Sequence, residues 1–172
     1  MKRFAICVAC ALLCAFGTGC SNYRLAGTAA ELPFHSVYVR PVKNFSYAPQ
    51  AAALLTNSIS QSLMQSPDLT LANPDDAQAE LQVEIVDYRR TPIATQSYDT
   101  ALAASYQISA TAKCTLKKSN GEVIFKDRKV TARTIIYLNS VGNGLIGDEY
   151  QNMPVLMREL GGKIKDAVLG IW

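Results

Sequence analysis

Cys20 is the residue of this 172-residue chain whose surroundings most clearly specify a chemistry. It follows Gly17-Thr18-Gly19, and ahead of these lie Lys2-Arg3 and an apolar stretch from Phe4 to Phe16. Two cations, about a dozen apolar residues and a small-residue exit are the three parts of a secretory leader. The apolar stretch is too short to cross a bilayer core of about 30 Å as a helix. A cysteine at such an exit can take a diacylglyceryl group on its thiol as a thioether, and cleavage after Gly19 would make it the new N-terminus. The expectation is a leader over residues 1–19, a lipidated Cys20 and a membrane anchor, with each buried methylene adding about 0.8 kcal/mol. Cys10 would leave too short an apolar segment, and Leu13 is too large for the position before cleavage at Cys14. The rival reading is plain secretion with Cys20 as a free thiol.

Other reactive constellations are absent from the sequence. His35 is the single histidine, so no Ser-His or multi-His set can form, and a surface histidine is the default. Cys7-x-x-Cys10 lies in the leader. No HExxH, GxSxG or P-loop occurs, and Gly142-Asn143-Gly144 lacks the flanks of a phosphate cradle. Asp75-Asp76 and Asp148-Glu149 read as turn or capping acids. The chain is expected to have no catalytic residue, no metal and no cofactor. Cys114 is left without an obvious partner, so no internal disulfide is expected.

Charge distribution says more than net charge. Of 17 Lys and Arg, Lys2 and Arg3 leave with the leader, so the remainder nearly balances the 14 Asp and Glu. That excludes reading the chain's +3 as affinity for nucleic acid. Arg89, Arg90, Lys113, Lys117, Lys118, Lys126, Arg128, Lys129 and Arg133 nevertheless crowd one segment. They could guard an edge strand against sheet-to-sheet pairing. They could instead contact a polyanion through its phosphates. Outside the cytoplasm that polyanion would be a phosphorylated glycolipid, with Arg89, Arg90, Lys113, Lys117 and Lys126 as candidate contacts.

The elements that must carry these residues are legible from periodicity. Residues 20–34 read as a tether and 35–172 as one domain. Ser36 to Val42 is a short strand. Ala51 to Gln65 repeats Leu55, Ile59 and Leu63 at helical spacing, and Ser66-Pro67 ends it. Leu69-Thr70-Leu71 reads as a short strand. Ala79 to Tyr88 alternates, with Leu81, Val83 and Ile85 on one face and Glu80, Gln82 and Glu84 on the other. Ala103 to Lys117 alternates longer, with Tyr106, Ile108, Ala110, Ala112, Cys114 and Leu116 sharing a face. Asn120-Gly121 predicts a type I′ hairpin turn, and Val123 to Tyr137 returns as its partner strand. Asn139 to Gly147 reads as a flexible loop. Met153 to Ile171 is a second amphipathic helix, and Gly161-Gly162 inside it predicts either a closely packed strand or a bend. The expected fold is α+β: a two-layer sandwich with a mostly antiparallel sheet of about four strands, two helices on one face, and the other face polar and free.

In this order the chain resembles the LPS-assembly lipoprotein family LptE. The resemblance rests on Cys20-Ser-Asn-Tyr-Arg-Leu25, Leu32-Pro33 before Val37-Tyr38-Val39, and the Ala79–Arg90 strand before Thr91-Pro92. It continues through Ser105-Tyr106-Gln107-Ile108, Gly121-Glu122-Val123-Ile124, and Glu149 near the start of the last helix. Ser21 stands where the family commonly has Gly. The resemblance implies an α/β sandwich that plugs the outer-membrane β-barrel LptD, helps it assemble and binds lipopolysaccharide without being an enzyme. Thr95–Thr100 and Asn139–Gly147, where that resemblance would put basic ligand contacts, hold no Lys or Arg. The competing reading is an envelope lipoprotein that scaffolds or activates another periplasmic partner.

Overall fold

The computed structural model describes residues 32–97, 101–138 and 145–170. The leader, Cys20, most of the tether and residues 139–144 of the expected loop lie outside the described residues. The elements are β1 (Ser36–Val39), β2 (Lys43–Asn44), α1 (Ala51–Met64), β3 (Thr70–Leu71), β4 (Ala79–Thr95), β5 (Ala103–Lys118), β6 (Val123–Tyr137) and α2 (Leu145–Leu169).

The α+β class holds, but the sheet is mixed and six-stranded, where about four mostly antiparallel strands were expected. Its order is β3-β1-β4-β5-β6, with β2 also on β4. β1 pairs in parallel with both β3 and β4, and β2 pairs in parallel with β4. Only β4-β5-β6 form the antiparallel meander. The parallel half arises because α1 lies between β2 and the later strands and works as a crossover. Two-residue strands such as β2 and β3 carry too little pattern for alternation to disclose.

Leu55 and Ile59 of α1 are fully buried and Leu63 nearly so. Each such side chain contributes roughly 1.5–3 kcal/mol by leaving water. Packing must hold this helix, because its ends are poorly dressed. Gln50 caps it from a left-handed conformation with no side-chain bond, and its first turn has no acid. The core extends to Leu32 and Phe34, which the sequence assigns to the tether; Phe34 is 1% exposed.

The long strands follow their alternation. Ile108, Ala110, Ala112, Cys114 and Leu116 of β5 are all buried. β4 runs to Thr95, beyond the expected Tyr88, and includes Pro92. Proline is tolerated because β1 and β2 pair only with residues up to Ile85, which leaves this part of β4 at an edge. In the β5–β6 turn only Gly121 has positive φ, at 88°, so the turn is not type I′. The Gly121 amide donates to the Lys118 carbonyl, and glycine takes the left-handed position that follows. α2 begins at Leu145, eight residues before the expected Met153, and Pro154 lies inside it. The backbone that closely approaches Gly161 is not a strand but that of α1.

Candidate functional site: the open face of the sheet

α2 packs on β5 and β6 of the meander, while α1 packs on β1, β2, β3 and on α2, and the strand register orders what stands on the other face. Glu84, Lys113 and Lys129 form one row across β4, β5 and β6. Asp87, Thr111 and Thr131 form the next, with the two threonine hydroxyls 2.9 Å apart. Arg89, Ser109 and Arg133 form a third. Along the strands in the other direction, Glu80 lies beside Lys117. Ile135 and Tyr137 continue the same side of β6 and are exposed.

Two concavities lie on this face and share Lys113. One of about 180 Å³ is lined by Lys113, Lys117 and Lys126 together with Glu84, Thr115 and Asp127. The other, about 710 Å³ and more open, is lined by Arg89, Lys113, Lys129 and Arg133 among hydroxyl-bearing residues. Lys126 reaches its place through a bulge. Between Cys114 and Leu116 on β5, β6 carries an extra residue, and Asp127 takes φ 52°.

The electrostatics of the face are uneven. Arg40 pairs with Glu80 at 2.7 Å and Arg89 with Asp87 at 2.8 Å. Among the described residues, Lys113, Lys117, Lys126, Lys129 and Arg133 form no salt bridge. Lys113 sits directly opposite Lys129, an arrangement that costs stability. Of these, Lys113 and Lys117 are half-buried and the other three are exposed; cations without a carboxylate partner on a polar floor suit an anion with several oxygens.

Four of the five candidate contacts named from sequence therefore meet on one face: Arg89, Lys113, Lys117 and Lys126. Arg90 does not. Strict alternation from Glu84 would put residues 86, 88 and 90 on the open side. The register shifts by one residue between Ile85 and Asp87, so Val86 is the extra residue of a bulge. Tyr88 and Arg90 consequently turn toward the helices. The Tyr88 hydroxyl donates to Glu149 Oε1 at 2.5 Å and Arg90 Nη1 to Oε2 at 3.1 Å. Burial, with Glu149 adjacent, pushes the Tyr88 hydroxyl far above its usual pKa. Glu149 is thus a buried partner rather than a solvated cap. The apolar pair Ile85-Val86, which breaks the period of two, was the available signal for the bulge. Lys129 and Arg133 belong to the site although the sequence reading did not single them out. Their register opposite Lys113 and Ser109 depends on the bulge at Asp127.

His35 is exposed, and its backbone amide donates to Gln78 Oε1 at 2.7 Å. Cys114 is a buried free thiol that burial pushes up to about 12. No group of metal-ligating side chains occurs among the described residues. No helix among them is long and apolar enough to cross a membrane.

The decisive comparison is at the level of family. Residues 34–160 match the family model of LptE, lipopolysaccharide-assembly. The chain belongs to the LptE family. The match spans β1 through most of α2, so it includes every strand of the open face. The search of curated proteins finds no match. Solved structures share the fold. A minor lipoprotein from Acinetobacter baumannii is 14% identical with a TM-score of 0.54, over 81% of this chain and 93% of that one. Lipoprotein B from Nitrosomonas europaea is 11% identical with a TM-score of 0.52, over 86% of this chain and 87% of that one. A protein from Xanthomonas campestris is 9% identical with a TM-score of 0.57, over 84% and 89% respectively. At these identities the likeness is one of fold alone.

Proposed function

We propose that this LptE-family chain is an outer-membrane lipoprotein, acylated on Cys20 after loss of residues 1–19 and held on the periplasmic side. In this reading it plugs an LptD-like β-barrel, helps that barrel assemble and hands lipopolysaccharide toward the cell surface. It acts by binding, with no catalytic residue, metal or cofactor. The family match over residues 34–160 carries the proposal. A polar sheet face supports it, because the wet interior of a barrel offers hydrogen-bonding partners more than apolar ones.

Arg89, Lys113, Lys117 and Lys126, joined by Lys129 and Arg133, are the proposed lipopolysaccharide contacts. Ser109 and Lys113 lie four residues apart on β5, about 13 Å at the rise of a strand. A head group with two phosphates at about that separation would reach the arginine row and the lysine row together. Ile135 and Tyr137, beside Arg133, would offer apolar area to the start of an acyl chain.

Purification of the tagged full-length chain from detergent extracts of cell envelopes tests the partner. Recovery with a large β-barrel protein in one-to-one ratio is expected. Recovery without one, together with cross-links to cell-wall machinery, would favour the scaffold reading instead.

A further inference from the structure

The first turns of α2 are attached to the rest of the domain differently from the remainder of the helix. Over 147–152 the one buried side chain is Glu149, 5% exposed. From Met153 onward the helix buries Leu156, Leu160, Ile164 and Val168 against the core. Over residues 147–152, therefore, an ionisable group rather than apolar area holds the helix to the domain.

Both oxygens of that group are occupied by donors from β4. Tyr88 donates to one at 2.5 Å and Arg90 to the other at 3.1 Å. Tyr47, from the loop before α1, closes the cluster. Its ring meets Tyr88 edge-on with centroids 5.4 Å apart, and the Arg90 guanidinium lies over it at 5.8 Å. The Val86 bulge is what brings Tyr88 and Arg90 to this side.

Pro154 follows Glu149 by five residues. It has no N–H to give the Tyr150 carbonyl, so the hydrogen-bond ladder is interrupted where the apolar anchoring begins. A helix interrupted there and pinned by one carboxylate has a natural place to part.

We propose that the start of α2 is a latched arm, with Glu149 as the pin and Pro154 as the hinge. The arm detaches as a unit while the helix beyond Pro154 stays packed. This conformational device does not rest on the partner proposed above.

Amide hydrogen exchange on the mature lipoprotein in detergent micelles tests it. Glu149→Ala is expected to speed exchange over 147–152 by about tenfold or more while 156–168 keep their protection. Adding Pro154→Ala should slow the arm again, because the restored amide couples it to the anchored helix. Equal acceleration through 156–168 would overturn the hinge, as would an arm indifferent to Pro154→Ala. Unchanged exchange over 147–152 in Glu149→Ala would overturn the pin. If Glu149→Ala does not fold, Tyr88→Phe, which deletes only the hydroxyl, should give about threefold acceleration confined to the same residues. Unaltered or helix-wide exchange in Tyr88→Phe would likewise refute the latch.

Discussion

Gly161 of α2 and Ser58 of α1 stand backbone to backbone. A Cβ on residue 161 would lie 2.9 Å from the Ser58 carbonyl carbon and 3.1 Å from the Ile59 amide nitrogen. Backbone cannot swing aside as a side-chain tip can, so the glycine sets how closely the helices cross. Its neighbour Gly162 meets nothing within 4 Å. Adjacent glycines should therefore respond oppositely to the same change. Gly161→Ala should destabilise the domain by about 1–3 kcal/mol through overpacking. Gly162→Ala should stabilise it by about 0.5–1 kcal/mol, because alanine loses less conformational freedom in a helix. Urea unfolding followed by circular dichroism distinguishes the two signs.

Cys114 gives a pH dependence. Its thiol is buried and pushed up to about 12 from an ordinary value of 9.0. The folded state keeps this proton after the unfolded chain has lost it. The contribution to stability is therefore complete below about pH 9 and is lost as pH rises through about 12, at roughly 1 kcal/mol per pH unit. Tyr88, raised in the same direction, adds to the decline above the ordinary tyrosine range. Cys114→Ala should flatten the stability curve between pH 9 and 11 compared with the parent. In the folded parent at pH 8, the thiol should also resist an aromatic disulfide reagent until denaturant is added.

The lysines facing each other on β5 and β6 separate stability from binding. Like charges directly opposite in an antiparallel pair are unfavourable, so Lys129→Thr should raise stability by about 0.5 kcal/mol. The gain should shrink in high salt, as screening weakens the repulsion it removes. The same substitution should weaken lipopolysaccharide binding several-fold. Lys113→Glu, Lys117→Glu and Lys126→Glu together should weaken it further. Calorimetry of both sets at low salt checks this. Unchanged affinity would reduce the cluster to protection of the β6 edge.

Long periodic segments were legible in the sequence because one burial face dictates them. α1 and β5 fall where Leu55-Ile59-Leu63 and Ile108 to Leu116 place them. The class of fold and the polarity of the open face follow from those faces. Features spanning only a residue or two were not legible. β2 and β3 are two residues each and are defined by pairing with distant strands. Residues 147–152 of α2 carry no apolar stripe, because Glu149 is their buried contact, and the visible periodicity begins at Met153. Arg90 left the predicted set through a single inserted residue, Val86, and Lys129 joined the site through another insertion near Asp127. Spacing identifies which residue types are near in sequence, but a bulge decides which face they share.

Changing the length of β4 by one residue tests that last relationship directly. Deleting Val86 joins Ile85 to Asp87, which leaves Asp87 on the open face and Tyr88 and Arg90 on the helix side. Both donors to Glu149 are then kept, so the deletion should cost only about 1 kcal/mol, as should Val86→Ala, which trims a half-buried side chain. Inserting one alanine between Asp87 and Tyr88 moves every later residue of β4 along by one place and turns Tyr88 and Arg90 to the open face. Glu149, 5% exposed, would lose both donors and remain an uncompensated buried charge, at a cost of about 3–5 kcal/mol. Urea unfolding of the deletion and the insertion should therefore differ by at least about 2 kcal/mol, and the insertion should speed amide exchange over residues 147–152 in the manner of Glu149→Ala. Near-equal stability would mean that β4 absorbs an extra residue without penalty. The contact with Glu149, and not the register of β4, would then decide which face Tyr88 and Arg90 share.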